Sequence, residues 1–306
     1  MIMNFDSLLK AAKQFAGKRV LVVFPNNEET FGAIRDAHNQ GLARFILVGS
    51  RPLMDQSLPA EILRMCEIHD AGDAVSALGK SLGLVAAGRA DILMKGGIDT
   101  PSMMKAVLKD GAGIRTGRLL SDIFLLEFPE RKENKFIMIT DGGMTLAPDL
   151  KNKVELIRNA VEVAHALGNE NPRVAVLSAT EFIVPSLQST LDAAALSKMN
   201  DRGQIKGCTV DGPFALDNAI SVEAAEEKGI KSPVAGRAEI LVAANIESAN
   251  SLAKSTTYFA GLRLAHVIVG GRVPVLIPSR SDKSDAKLLS IALGVIMSEF
   301  NAGREN

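Results

Sequence analysis

The sequence has no tryptophan, a single tyrosine (Tyr258) and two cysteines in 306 residues. With one tyrosine and twelve phenylalanines it offers few rings on which bases could stack. It has no surplus of either charge: Lys+Arg and Asp+Glu each count 35. Nothing therefore advertises nucleic acid or an anionic membrane as a partner. Cys66 and Cys208 stand far apart without CxxC or CxxH company, which argues against a disulfide framework or a zinc site and for a reducing cytoplasm. No run approaches the roughly 18 apolar residues of a membrane span. The opening MIMNFDSLLKAAKQF reads as an amphipathic helix capped near Asp6 or Ser7, without the apolar core of a signal peptide.

Catalytic signatures are equally scarce. There is no Walker sequence and no Gly-x-Ser-x-Gly elbow. Gly111-Ala112-Gly113 resembles part of a dinucleotide fingerprint but follows a helix instead of a strand. Ser251–Lys254 and Ser284–Lys287 match Ser-x-x-Lys without the companion motifs. His38, His69, His165 and His266 have no metal-ligand spacing and read as structural or surface residues. No metal is expected.

What is present is a globular composition, 47% hydrophobic and 23% charged, at a length that suits two domains. Short β-rich runs alternate with helical periodicity from end to end. Lys18–Phe24, Arg44–Val48, Asp91–Met94, Phe136–Thr140, Arg173–Ser178, Lys206–Val210 and Glu239–Ala243 read as strands. Helices follow at 26–42, 76–87, 102–109, 149–167, 190–199, 221–228 and 249–259. The alternation predicts an α/β fold with mostly parallel sheets. The glycine pair and proline of Gly142–Pro148 suggest a boundary. The expected domains are 1–143 with 286–306, the last helix folding back, and 144–285.

The stretch Ala265–Gly294 concentrates the functional interest. Val267–Val269 and Val273–Ile277 read as buried strands, Pro278 stops the second, and Ser279–Asp285 (SRSDKSD) precedes a helix. Ligands of open α/β sheets sit outside the carboxyl ends of the strands, and helix N-termini attract anions. A plain alternative is that Ser284 caps the helix, Asp285 complements its dipole and Arg280 is a solvated loop residue. Other apolar strands end alike, at Lys95-Gly96-Gly97, Asp141-Gly142-Gly143, Asp211-Gly212-Pro213 and Asn245. Ordinary turn chemistry explains any one of these.

The run TLDAAALSKMNDRGQIKGCTVDGPFALDNAISVEAAEEKGIKSPVAGRAEILVAANIESANSLAKS at 190–255 resembles the phosphotransacylases, phosphate butyryltransferases in particular. MKGGIDT at 94–100, LLSDIFLLEFP at 119–129, ITDGGMTLAPDL at 139–150 and VPVLIPSRSDKSDAKLLSIAL at 273–293 support it, so the similarity covers about residues 75–300. The resemblance implies a two-domain α/β/α sandwich of the isocitrate/isopropylmalate dehydrogenase-like type, with an interdomain active-site cleft, and a homodimer. It implies the reaction acyl-CoA + phosphate ⇌ acyl phosphate + CoA, with coenzyme A as substrate or product and no tightly bound cofactor.

In related phosphate acetyltransferases a Ser-Arg pair and a downstream Asp carry the function. The pair maps onto Ser279 and Arg280. The Asp lands on Ala286, leaving Asp285 or Asp282 as the base. Lys95, Gly96, Thr100, Arg115, Ser121, Asp211, Gly212, Pro213, Asp217 and Asn245 are the expected substrate-binding residues. Acetyl is the alternative acyl group. A non-catalytic acyl-CoA or acyl-phosphate binding protein is the alternative function. A metal- and NAD(P)-dependent decarboxylating dehydrogenase would share the fold and could use Asp211 and Asp217, but the sequence has no adenine-site signature.

Overall fold

The computed structural model describes residues 1–279 and 281–305. The chain divides into two compact units, one built from Asn4–Leu120 and the segment from Leu264 onward, the other from Ser121–Arg263.

The first unit begins with α1 (Phe5–Ala12), whose cap is Asn4: its side chain accepts from the Ser7 N–H and Ser7 answers in a capping box. The cap therefore lies two to three residues before the expected Asp6 or Ser7. A 3-10 turn leads to β1 (Arg19–Val23), then α2 (Glu28–Asn39, capped by Asn27) and β2 (Arg44–Gly49). The short helices α3 (Arg51–Ser57) and α4 (Ala60–Met65) and the half-exposed strand β3 (Glu67–Asp70) follow. Next come α5 (Ala74–Ala86), capped by Asp73, β4 (Ile92–Lys95) and α6 (Thr100–Val107).

The second unit comprises β5 (Ser121–Glu127), β6 (Phe136–Thr140), α7 (Leu150–Ala166), β7 (Arg173–Leu177), α8 (Gln188–Asp201) and β8 (Thr209–Phe214). It continues with α9 (Leu216–Ile220), α10 (Val222–Glu227), β9 (Ile240–Val242) and α11 (Ile246–Tyr258). The chain then returns to the first unit as β10 (Leu264–Val269), β11 (Val275–Leu276) and α12 (Ser284–Glu305).

In the first unit the strand order is β3-β2-β1-β4-β11-β10, parallel except for β10. In the second it is β5-β6-β9-β7-β8, parallel except for β5. The units meet in sequence at Leu120–Ser121 and Arg263–Leu264, not at Gly142–Pro148. Strand pairing explains the difference: β5 zips antiparallel onto β6 (Phe124↔Ile139) and so carries residues 121–143 into the second unit. On the other side β11 pairs with β4 (Val275↔Leu93), tying the segment before α12 into the first.

The expected loop Asp211-Gly212-Pro213 is instead part of β8, with Ala175 opposite Asp211 and Leu177 opposite Phe214 around a bulge. A proline without an N–H is tolerated there because β8 ends the strand order of its unit. On α7 the faces follow the period. Val154, Ile157, Val161 and Ala164 are buried, and Gly168, at φ +85°, ends the helix.

Candidate active site

In the first unit β1, β4 and β11 run parallel, so their carboxyl ends share one sheet edge: Val23 stands opposite Lys95, and Leu276 opposite Met94. Three loops leave that edge, at 24–27, 96–99 and 278–283. The Gly96 N–H donates to the Val23 carbonyl at 2.9 Å, and a Cβ at Gly96 would lie 2.4 Å from that oxygen. A Cβ at Gly97 would overlap the Asn26 side chain at 2.0 Å. These glycines thus let two strand-end loops interlock; the space at Gly96 is filled by protein backbone. Lys95 is buried with Nζ 3.4 Å from the Ile98 carbonyl. Thr100 opens α6, which Asp99 caps by accepting from the Ser102 N–H. Arg115 lies on an exposed loop of the same unit, paired to Asp110 at 2.7 Å.

The Ser279 loop is closed on itself. Its Ser279 N–H donates to the Asp282 carboxylate at 2.7 Å, and the Asp282 N–H returns to the Ser279 carbonyl at 3.2 Å. Nε2 of buried His266 lies 3.9 Å from the same carboxylate. Buried Lys287 donates from Nζ to the carbonyls of Ser279, at 3.3 Å, and Asp282. Ser279 Oγ is 3.0 Å from Ser281 Oγ. Ser284 is not the cap: it is the first residue of α12, and its N–H donates to Glu29 of α2 at 3.0 Å. Asp285 is exposed in the first turn of α12. Arg280 lies outside the described residues.

The second unit has its own polar edge. Parallel pairing sets Thr140 of β6 beside Val242 of β9, and antiparallel pairing brings the start of β5 to the end of β6. There Asp141 is 3% exposed. Its Oδ1 accepts from the N–H groups of Asp122 (3.1 Å), Gly143 (3.0 Å) and Met144 (3.1 Å), and its Oδ2 from Thr145 (2.9 Å). Burial pushes its carboxyl up to about 6; the Gly143 N–H opposes the rise and the Asp122 carboxylate adds to it. Buried Ser121 accepts from Asn159 at 2.8 Å. Thr140 Oγ1 is buried without a hydrogen-bond partner among the described residues. Asn245 caps α11.

The remaining expected residues of this unit are tied into its framework. Asp211 Oδ1 accepts from Ser197 Oγ (3.1 Å) and the Gly212 N–H (2.8 Å) inside β8. Exposed Asp217 pairs with Lys228 at 2.9 Å. Among the described residues no group of three or more His, Cys, Asp or Glu could hold a metal ion. Burial pushes both cysteine thiols up to about 11, away from nucleophilic readiness. No helix is long and apolar enough to cross a membrane among the described residues. Sequence reasoning did not select Asp122, Asp141, His266 or Lys287. Only Asp141 had a visible signal, an acid between an apolar strand and a glycine pair.

The raised pKa of Asp141 has a definite sign. Between pH about 4 and 6 the folded chain holds a proton that the unfolded chain has released, so the stabilisation is complete at low pH and lost as pH rises to 6. Across that interval wild type is expected to lose melting temperature relative to Asp141→Asn. Parallel pH curves for the two proteins would remove Asp141 as the titrating group.

Comparison with known proteins fixes the class. The model of the phosphate acetyl/butaryl transferase family matches residues 74–295. A phosphate butyryltransferase of Clostridium beijerinckii is 42% identical over 98% of this chain and 100% of its own length. A phosphate acetyltransferase of Thermotoga maritima is 40% identical over 96% of this chain and 99% of its own. The crystal structure of a branched-chain phosphotransacylase from Enterococcus faecalis V583 superposes with a TM-score of 0.82 at 30% identity, covering 92% of this chain and 99% of the other. The protein is an acyltransferase with a mixed α/β fold. It belongs to the phosphate acetyl/butaryl transferase family.

Proposed function

We propose that the protein transfers a four-carbon acyl group, butyryl or its branched isomer, between coenzyme A and inorganic phosphate. The observation that carries this reading is the 42% identity to a phosphate butyryltransferase over 98% of the chain. The 40% identity to a phosphate acetyltransferase keeps acetyl as the second reading, since one or two methylenes change pocket affinity by only about 1–3 kcal/mol. The proposal extends to the isocitrate/isopropylmalate dehydrogenase-like fold subtype, a homodimer and a cytoplasmic location, which follow from the family resemblance.

A phosphate oxygen attacks the thioester carbonyl carbon. The C–O bond forms, the C–S bond breaks, and the thiolate leaves. Arg280 suits phosphate because its guanidinium makes paired, charge-assisted hydrogen bonds. Ser279 offers a hydroxyl to the carbonyl oxygen as charge develops on it; such a donor is typically worth about 3–4 kcal/mol. Transfer is direct, in a ternary complex, a reading supported by the raised pKa of both thiols.

In the reverse direction a carboxylate takes the CoA thiol proton. We take Asp285, exposed in the first turn of α12, as the base, with Asp282, whose carboxylate accepts the Ser279 N–H, holding the loop. Phosphate-dependent thiol release from C4 acyl-CoA tests the reaction. For the base, Asp285→Asn should slow acyl-phosphate consumption at least about 100-fold, the low end of what a positioned general base contributes. Asp282→Asn should chiefly raise the phosphate KM. Full reverse activity in Asp285→Asn removes it as the base.

A further inference from the structure

A buried ammonium stands directly behind the loop that carries Ser279. Lys287, one turn into α12, is 2% exposed, although its sequence neighbours Leu288 and Leu289 are apolar and equally buried. An apolar side chain would fill this place without the cost of desolvating a charge. The cation therefore has a use beyond packing, and its contacts identify it. Nζ donates to the carbonyl oxygens of Ser279, at 3.3 Å, and Asp282, the two ends of the loop.

Peptide planarity carries the consequence outward. With the Asp282 carbonyl turned in toward the ammonium, the trans peptide turns the Lys283 N–H away from it. The same loop is pinned by the Ser279 N–H on the Asp282 carboxylate. Burial pushes the Lys287 pKa down, while the carboxylates of Asp282 from the loop and Glu29 from α2 raise it.

We propose that Lys287 is a positioning residue for the phosphate substrate. By drawing the Ser279 and Asp282 carbonyls inward, it holds the loop in the form that presents Ser279 and the outward-facing N–H to the anion. This rests on the reading of the Ser279-Arg280 loop as the phosphate site.

The test is steady-state kinetics of Lys287→Met and Lys287→Gln with phosphate and butyryl-CoA varied in turn, alongside thermal melts. The phosphate KM should rise at least about tenfold in Lys287→Met and less in Lys287→Gln, which keeps donors without charge. The butyryl-CoA KM should stay within about twofold. An unchanged phosphate KM, an equal rise in both KM values, or loss of the folded state in both variants overturns the proposal. Wild-type protein without phosphate-dependent turnover would instead overturn the parent reading, and this one with it.

Discussion

Replacing Arg280 with alanine is expected to lower kcat/KM for phosphate by at least about 100-fold, the size of losing charge-assisted contacts to an anion in a closed site. The expectation rests on the match of Ser279-Arg280 to the Ser-Arg pair of phosphate acetyltransferases. The Ser279 loop leaves the carboxyl edge of a parallel sheet, where ligands of α/β proteins sit. Arg280→Lys should recover only part of the loss, because an ammonium cannot reproduce the paired fork. Near-wild-type turnover with saturable phosphate in Arg280→Ala would take Arg280 out of the mechanism.

The largest expected loss of stability lies in the second unit. Lys153 of α7 and Asp192 of α8 form an ion pair at 2.6 Å, with 4% and 7% of their side chains exposed. Gln188 donates to the other Asp192 oxygen at 2.8 Å. Asp192→Ala strands the ammonium without a counter-charge and should cost about 3–5 kcal/mol. At roughly 2–4 °C per kcal/mol for a unit of this size, the melting temperature should fall by about 6–20 °C. The double variant Lys153→Met with Asp192→Leu removes both charges and should recover most of the loss. A melting temperature within about 2 °C of wild type in Asp192→Ala would mean that the pair is hydrated or rearranged.

Much of the fold was legible because buried parallel strands read as short apolar runs. RVLVV, FIMIT and RVAVL stand out from polar surroundings without any long-range information. Three elements between β2 and α5 were missed for local reasons. α3 and α4 are helices of only seven and six residues, punctuated by Pro52 and Pro59, and β3 (EIHD) is an edge strand with no apolar run. The unit boundary was misjudged because the β5–β6 pairing is a long-range fact. Asp211 to Pro213 read as a loop because a Gly-Pro pair usually is one. The Ser279 loop was legible through its strand–loop–helix setting and its resemblance. Lys287 was not, because a lysine in a helix gives no sign that its side chain turns inward to two carbonyls. Asp141 sat in a recognised loop, but its burial and its four N–H donors are products of the folded chain.

The most direct test of the central claim is to mix the pure protein with phosphate and, separately, acetyl-, butyryl- and isobutyryl-CoA, following free thiol without added metal. We expect release that requires phosphate, saturates with it, and runs fastest with a four-carbon chain. Release fastest with acetyl-CoA would keep the chemistry and change the acyl group. No phosphate-dependent release from any of the three would contradict the assignment of acyl transfer to phosphate.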